Sequence, residues 1–226
     1  MFEKRIWVIS LFPEIINTYF SHGVISRFNS CLEVINPSSY SPKGFKGVDD
    51  TPFGGGPGVV MRGDVLSDVL EEGIFKHYSN PKKELLVIFT SPVGKKWDSN
   101  CARVLSENLS NQVNSSKDLV FVCGRYEGID QRFIDAFVDQ VYSVGDYVLT
   151  GGELAVLAMI DSTLRFVPGA LGNPKSYEED SFENNLMDYP KWTKPRIFKG
   201  ISVPEVLLSG NHQKIEDFNN SLRPKI

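Results

Sequence analysis

Two continuous apolar runs, LLVIF at 85–89 and LVFVC at 119–123, constrain this chain more than any other feature. Five apolar residues in a row leave no polar side to turn to water, so each run reads as a strand buried on both faces. Helical segments follow them. Asp98 can cap a helix presenting Cys101, Leu105 and Leu109, and Phe133, Ile134 and Phe137 share one face of the next. A weaker strand spans 140–144, and a long helix runs from Gly151 to about Leu164. Nearer the start, RIWVI at 5–9 reads as a buried strand and 32–35 as a short one. Pro13 suits the first turn of a helix carrying Ile15, Ile16, Tyr19 and Phe20. From about Asp64 a further helix places Val65, Leu66, Val69 and Leu70 on one face. Apolar strands alternating with helices predict an α/β fold with a parallel sheet covered on both sides.

The composition fits one large domain with a small appendage: 226 residues, 41% of them hydrophobic. No apolar run approaches the ~20 residues of a membrane helix. The stretch Ile6–Ile9 is too short for a signal-peptide core. Cys31, Cys101 and Cys123 are far apart and odd in number, which predicts reduced thiols and a cytoplasmic protein. His22, His77 and His212 are equally scattered, so no structural zinc set assembles. The net charge of −4 argues against holding nucleic acid by bulk electrostatics. Lys191, Lys194, Arg196 and Lys199 form a local basic patch behind an acidic stretch (Glu178, Glu179, Asp180, Glu183, Asp188), which also reads as a solvated surface.

The composition changes from Pro168 to Pro190, where Asn, Ser, Glu and Asp dominate without period. The expected organisation is a main α/β domain over 1–165, a linker over 166–190 and a small, mainly helical C-terminal element over 191–226. The segment VPEVLLSG at 203–210 reads as a strand or a short buried piece, and 211–220 as a polar helix.

Three strands in succession end in unusual loops: Thr90-Ser91-Pro92-Val93-Gly94, Cys123 to Gly128, and Val144 to Glu153. In a parallel sheet such loops gather at the carboxyl edge, where ligands bind. Glycine there lets backbone approach a ligand, though it also merely ends strands. Neither the Walker pattern nor G-x-G-x-x-G is present. Thr150-Gly151-Gly152-Glu153 reads as a capping box, which puts a carboxylate where a phosphate would sit. A cofactor with an adenine ring and no phosphate fits better, its ring covered by Tyr147 and Leu149. A fourth loop, Val48-Asp49-Asp50-Thr51-Pro52-Phe53-Gly54-Gly55-Gly56-Pro57-Gly58, is either a flexible exposed loop or a shaped surface for a flat base.

The motifs VDDTPFGGGPG, FVCGRYEGIDQR, SVGDYVLTGGE, RFVPGALG, EEDSF and VLLSGNH, in that order, resemble the bacterial tRNA (guanine-37-N1)-methyltransferases, and the similarity runs from ISLFPE to about His212. The resemblance implies a SPOUT-class fold with a trefoil knot and a homodimer whose active sites draw on both subunits. It implies S-adenosylmethionine as cofactor, magnesium as a requirement, and tRNA, not DNA or a membrane, as the partner. Ala155 stands where many relatives carry proline, Lys191-Trp192 replaces a more usual His-Tyr, and the tail is shorter and less basic than is usual. Rival readings are a SPOUT enzyme acting on another RNA target and an RNA-binding module without catalysis.

The resemblance also assigns roles. Asp180 would be the base and Arg165 the cation. Ser91, Pro92, Gly94, Gly124, Tyr126, Glu127, Val144, Gly145, Asp146, Tyr147, Val148, Leu149, Gly151 and Gly152 would hold the cofactor. Asp49, Gly54, Gly55, Gly56, Pro57 and Gly58 would meet the target nucleoside, with Asp188 and Lys194 touching RNA. Glu127 would position the methionine part or a metal, whose ligands stay unassigned. On the residues alone, Asp180 with Glu183 serves equally as a helix cap, Arg165 as a cation closing a helix, and Glu127 as a surface ion-pair partner.

Overall fold

The computed structural model describes residues 4–109, 116–170, 181–182 and 187–224. The chain forms two compact units, Met1–Leu171 and Gly172–Ile226. In the first, five parallel strands stand in the order β2-β1-β6-β5-β7. They are β1 (Ile6–Ile9), β2 (Leu32–Ile35), β5 (Leu85–Lys96), β6 (Asp118–Val122) and β7 (Gln140–Ser143). A separate antiparallel pair, β3 (Asp49–Asp50) and β4 (Val60–Met61), closes the glycine-rich loop.

The helices of this unit are α1 (Pro13–Phe20), α2 (Gly63–Asp68), the single turn α3 (Pro81–Glu84), α4 (Ser99–Leu109), α5 (Gln131–Phe137) and α6 (Glu153–Leu164). Alternation along each central strand sends side chains to opposite faces. Ile6, Val8, Leu119 and Phe121 join a core with Ile16, Phe20, Leu105, Val156 and Ile160 on one side. Trp7, Ile9, Val120 and Val122 join Val65, Leu66, Leu70 and Phe133 on the other.

The expected parallel α/β architecture is present, with differences in detail. In α1 only Ile16 and Phe20 are buried, because the sheet covers one stripe of the helix and leaves Ile15 and Tyr19 exposed. Asp98 does cap α4, accepting the Cys101 N–H at 2.7 Å. The loop expected at Thr90 to Gly94 lies inside β5, whose register against β7 shifts between Thr90 and Lys95. The intervening residues bulge out of the sheet. Val167 and Ala170 are buried with the first core, so its packing extends past Arg165.

The second unit contains the hairpin β8 (Ile197–Phe198) and β9 (Ile201–Ser202), a tight turn Glu205–Leu208, and α7 (His212–Ser221). The VPEVLLSG segment is therefore this turn and not a strand. Asn211 caps α7 by accepting the Lys214 N–H at 3.1 Å. Among the described residues no helix is long and apolar enough to cross a membrane.

Candidate active site

The bulge of β5 and the exits of β6 and β7 meet at one cavity of about 240 Å³. Parallel strands put these exits on the same edge, so residues more than fifty positions apart in sequence share a wall. The Gly152 N–H donates to the Gly124 carbonyl at 2.8 Å, tying the third loop to the second. A methyl group at Gly152 would lie 2.7 Å from the Gly124 nitrogen, so only glycine permits this approach.

Twelve of the fourteen residues expected around the cofactor line the cavity: Ser91, Pro92, Gly124, Tyr126, Glu127, Val144, Gly145, Tyr147, Val148, Leu149, Gly151 and Gly152. Gly94 and Asp146 do not. Gly94 packs on β7 instead, where a methyl group would meet Tyr142 backbone atoms at 2.5–2.7 Å. Phe89, Tyr142 and Ala155 add apolar wall that sequence reading missed, because the β5 bulge decides which of their neighbours turn inward.

The capping box does not form. Gly152 is the N-cap of α6 and no side chain caps the helix. Glu153 is 1% exposed and faces Arg125. Arg125 Nε donates to Glu153 Oε1 at 3.1 Å, and Nη2 lies 2.8 Å from Oε2. Ser10, at the end of β1, donates its hydroxyl to the same carboxylate at 2.8 Å. Arg125 Nη1 reaches the Thr150 carbonyl at 3.3 Å, and the guanidinium stacks 4.4 Å from the Phe12 ring. The buried carboxylate thus gains a cation and a hydroxyl, which a bond to the exposed Thr150 could not match. Among the described residues Arg125 is the one cation lining the cavity, and its charge is already compensated. The thiol of Cys123 close by is pushed well up by burial, then by the Glu153 carboxylate, and stays protonated.

The expected nucleoside loop stands beside this cavity. Asp49 pairs with Met61 and Asp50 with Val60, and Gly54, Gly55, Gly56 and Gly58 all take positive φ. Methyl groups at Gly54, Gly55 and Gly56 would meet only open space. Pro57 sits within that turn, and Phe53 is 95% exposed. The loop is rooted on the second cavity loop: Glu127 N–H donates to Val59 O at 3.0 Å and Met61 N–H to Gly128 O at 2.9 Å. Burial, then the adjacent Asp49 carboxylate, push the Tyr126 phenol up. Tyr126 itself takes a left-handed φ of 57°, which places its side chain between the two regions.

Arg165 follows α6 as its C-cap, exposed and away from the cavity lining. Asp180 lies outside the described residues. In the second unit Lys191 Nζ is 3.1 Å from Asp188 Oδ1 and 3.4 Å from the Tyr189 ring centre. Burial raises the Asp188 carboxyl, but Lys191 and the Tyr189 N–H outweigh it and leave the group below its usual range. Arg196 pairs with Glu205 at 3.1 Å. Two of the four basic-patch cations are thus compensated, while Lys194 is exposed beside Pro195. Among the described residues no group of three His, Cys, Asp or Glu side chains gathers to hold a metal.

The sheet and its cavity define an α/β protein with a cavity of small-ligand size at the carboxyl edge of a parallel sheet. Comparison with known proteins narrows this class. The family profile described as tRNA (Guanine-1)-methyltransferase TrmD matches residues 4–225. A tRNA (guanine-N(1)-)-methyltransferase of Clostridioides difficile is 43% identical over 95% of this chain and 90% of its own length. Enzymes of the same name from Pseudomonas putida and Buchnera aphidicola (Acyrthosiphon pisum) are 44% and 42% identical over 95% and 92% of this chain, and 83% and 84% of theirs. The chain belongs to the tRNA (guanine-1)-methyltransferase family.

Proposed function

We propose that this protein is a cytoplasmic homodimer that transfers a methyl group from S-adenosylmethionine to N1 of guanosine 37 in tRNA. The observation that carries the reading is the cavity itself: the bulge of β5 and two glycine-bearing strand exits enclose it, and Arg125, the one cation lining it among the described residues, is held by Glu153. A phosphate ligand would need a cation or an amide cluster free to meet it. Phe89, Tyr142, Val144, Leu149 and Ala155 instead offer apolar faces for a flat ring, and Glu127 supplies an acid for a positively charged end. Thr90 Oγ1 is buried in the wall without a hydrogen-bond partner among the described residues, a group that a bound ligand can satisfy.

When bound, S-adenosylmethionine supplies a methyl group activated on a sulfonium. Guanine N1 carries a proton at neutral pH and becomes nucleophilic only as that proton leaves. Asp180 accepts it, and Arg165 stabilises the negative charge that develops on O6. The cavity loops and the Asp49 to Gly58 loop would hold donor and acceptor so that the methyl group faces N1. Asp188 and Lys194 contribute RNA contacts. Glu127, the carboxylate lining the cavity among the described residues, would hold a magnesium ion there, which would supply charge neutralisation.

Arg165 and Asp180 serve this chemistry across a dimer. Val93, Val148 and Leu154, near the cavity loops, are 91%, 83% and 60% exposed, an apolar surface that a second copy would cover. We also propose the trefoil knot. The close approach of Gly152 to Gly124, where a methyl group would meet backbone, supports this reading. The domain roles follow: catalysis in 1–165, a linker at 166–190, and tRNA contact by 191–226. Sedimentation at assay concentrations is expected to give a dimer, and a fully active monomer would contradict the shared site.

Calorimetry with S-adenosylmethionine, followed by transfer assays on tRNA transcripts carrying guanine or adenine at position 37, tests the main reading. Binding and guanine-dependent transfer are expected. Binding without transfer would favour an RNA-binding module, and transfer independent of that guanine would favour another target.

A further inference from the structure

Gly58 does not line the cofactor cavity, yet it touches a residue that does. A methyl group on Gly58 would lie 2.6 Å from Glu127 Cγ and 2.8 Å from Glu127 Oε1. The backbone around this contact is short and bonded. Glu127 N–H donates to Val59 O at 3.0 Å, Met61 N–H to Gly128 O at 2.9 Å, and Asp130 N–H to Met61 O at 3.0 Å. These bonds run residues 127–130 alongside β4 as an extra pairing, with Met61 opposite Ile129. One segment, Tyr126 to Gly128, therefore walls the cavity and also roots the glycine loop.

We propose that Gly58 is a positioning residue for the cofactor cavity, acting through Glu127, so that the cavity and the glycine loop adjust as one coupled unit. This rests on the functional reading above for the identity of the two ligands. The absence of a side chain at residue 58 lets Glu127 lie flat against the loop. Any shift of the loop on meeting RNA moves Glu127, and any shift of Glu127 on meeting cofactor moves the loop. Linkage then requires that each ligand change the affinity of the other by the same factor.

Gly55 provides a matched control. Its φ is +78° against +79° for Gly58, so alanine strains the backbone alike, but a methyl group at Gly55 meets nothing within 4 Å. Calorimetry with S-adenosylmethionine on the full-length protein is expected to show Gly58→Ala weakening binding about tenfold. Gly55→Ala should leave that affinity within about twofold, with circular dichroism unchanged in both. In a Glu127→Ala background, Gly58→Ala should cost nothing further, because the obstructed side chain is gone. The dissociation constant of tRNA, measured with and without saturating S-adenosylhomocysteine, should improve several-fold with the nucleoside in the wild type and less in Gly58→Ala. Equal cofactor affinities in Gly58→Ala and Gly55→Ala would overturn the proposal. So would an undiminished Gly58→Ala effect without the Glu127 side chain, or a wild-type tRNA affinity indifferent to the nucleoside. Failure of the wild type to bind S-adenosylmethionine at all would instead overturn the functional reading.

Discussion

Asp180→Asn is expected to lower methyl transfer by about 10²–10⁴-fold while leaving affinity for S-adenosylmethionine nearly unchanged. The asparagine has the shape of the carboxylate but cannot take a proton. If Asp180 removes the N1 proton, its loss falls on kcat and not on cofactor binding. Single-turnover transfer to a tRNA transcript, beside calorimetry on the same preparation, separates the two. Unchanged turnover would remove Asp180 as the base. Equal losses of cofactor affinity and rate would make it a structural residue of the cavity.

Glu153→Ala is expected to destabilise the protein by about 3–5 kcal/mol, because it strands a largely buried guanidinium. Among the described residues, Arg125 would lose both carboxylate contacts and keep the Thr150 carbonyl and the Phe12 ring. For a domain of this size, the melting temperature should fall by roughly 6–20 °C. Replacing both partners, as Arg125→Met with Glu153→Leu, should cost less than Glu153→Ala alone, since no charge is then left unpaired. Thermal and urea unfolding of the three variants measure the contrast. A double variant less stable than Glu153→Ala would show that the pair contributes through its charge and not merely through being matched.

The same pair marks where sequence reading stops. The apolar runs at 85–89 and 119–123 gave their strands, since unbroken apolar residues can only be buried. Asp98 gave its helix start, because a carboxylate three residues before Cys101 reaches that N–H by local geometry alone. The three glycine loops pointed to the cavity for a similar reason: parallel strands must end on one edge. Glu153, by contrast, satisfies a local rule that the fold does not use. Its position after Thr150-Gly151-Gly152 fits a capping box, and nothing nearby in sequence announces Arg125 or Ser10.

What the amino-acid order settled here is whatever depends on neighbours within a few positions: strand and helix identity, the places where only glycine fits, and, through its ordered motifs, the family. What the three-dimensional arrangement settled is which distant groups meet. Arg125 reaches Glu153 across 28 positions and Ser10 reaches it across 143. The turn of β5 at Thr90 sends Ser91 into the cavity and Gly94 onto Tyr142. Those choices follow from strand order and register, where each partner is selected by competition among all buried charges and surfaces at once, and no local pattern carries that information.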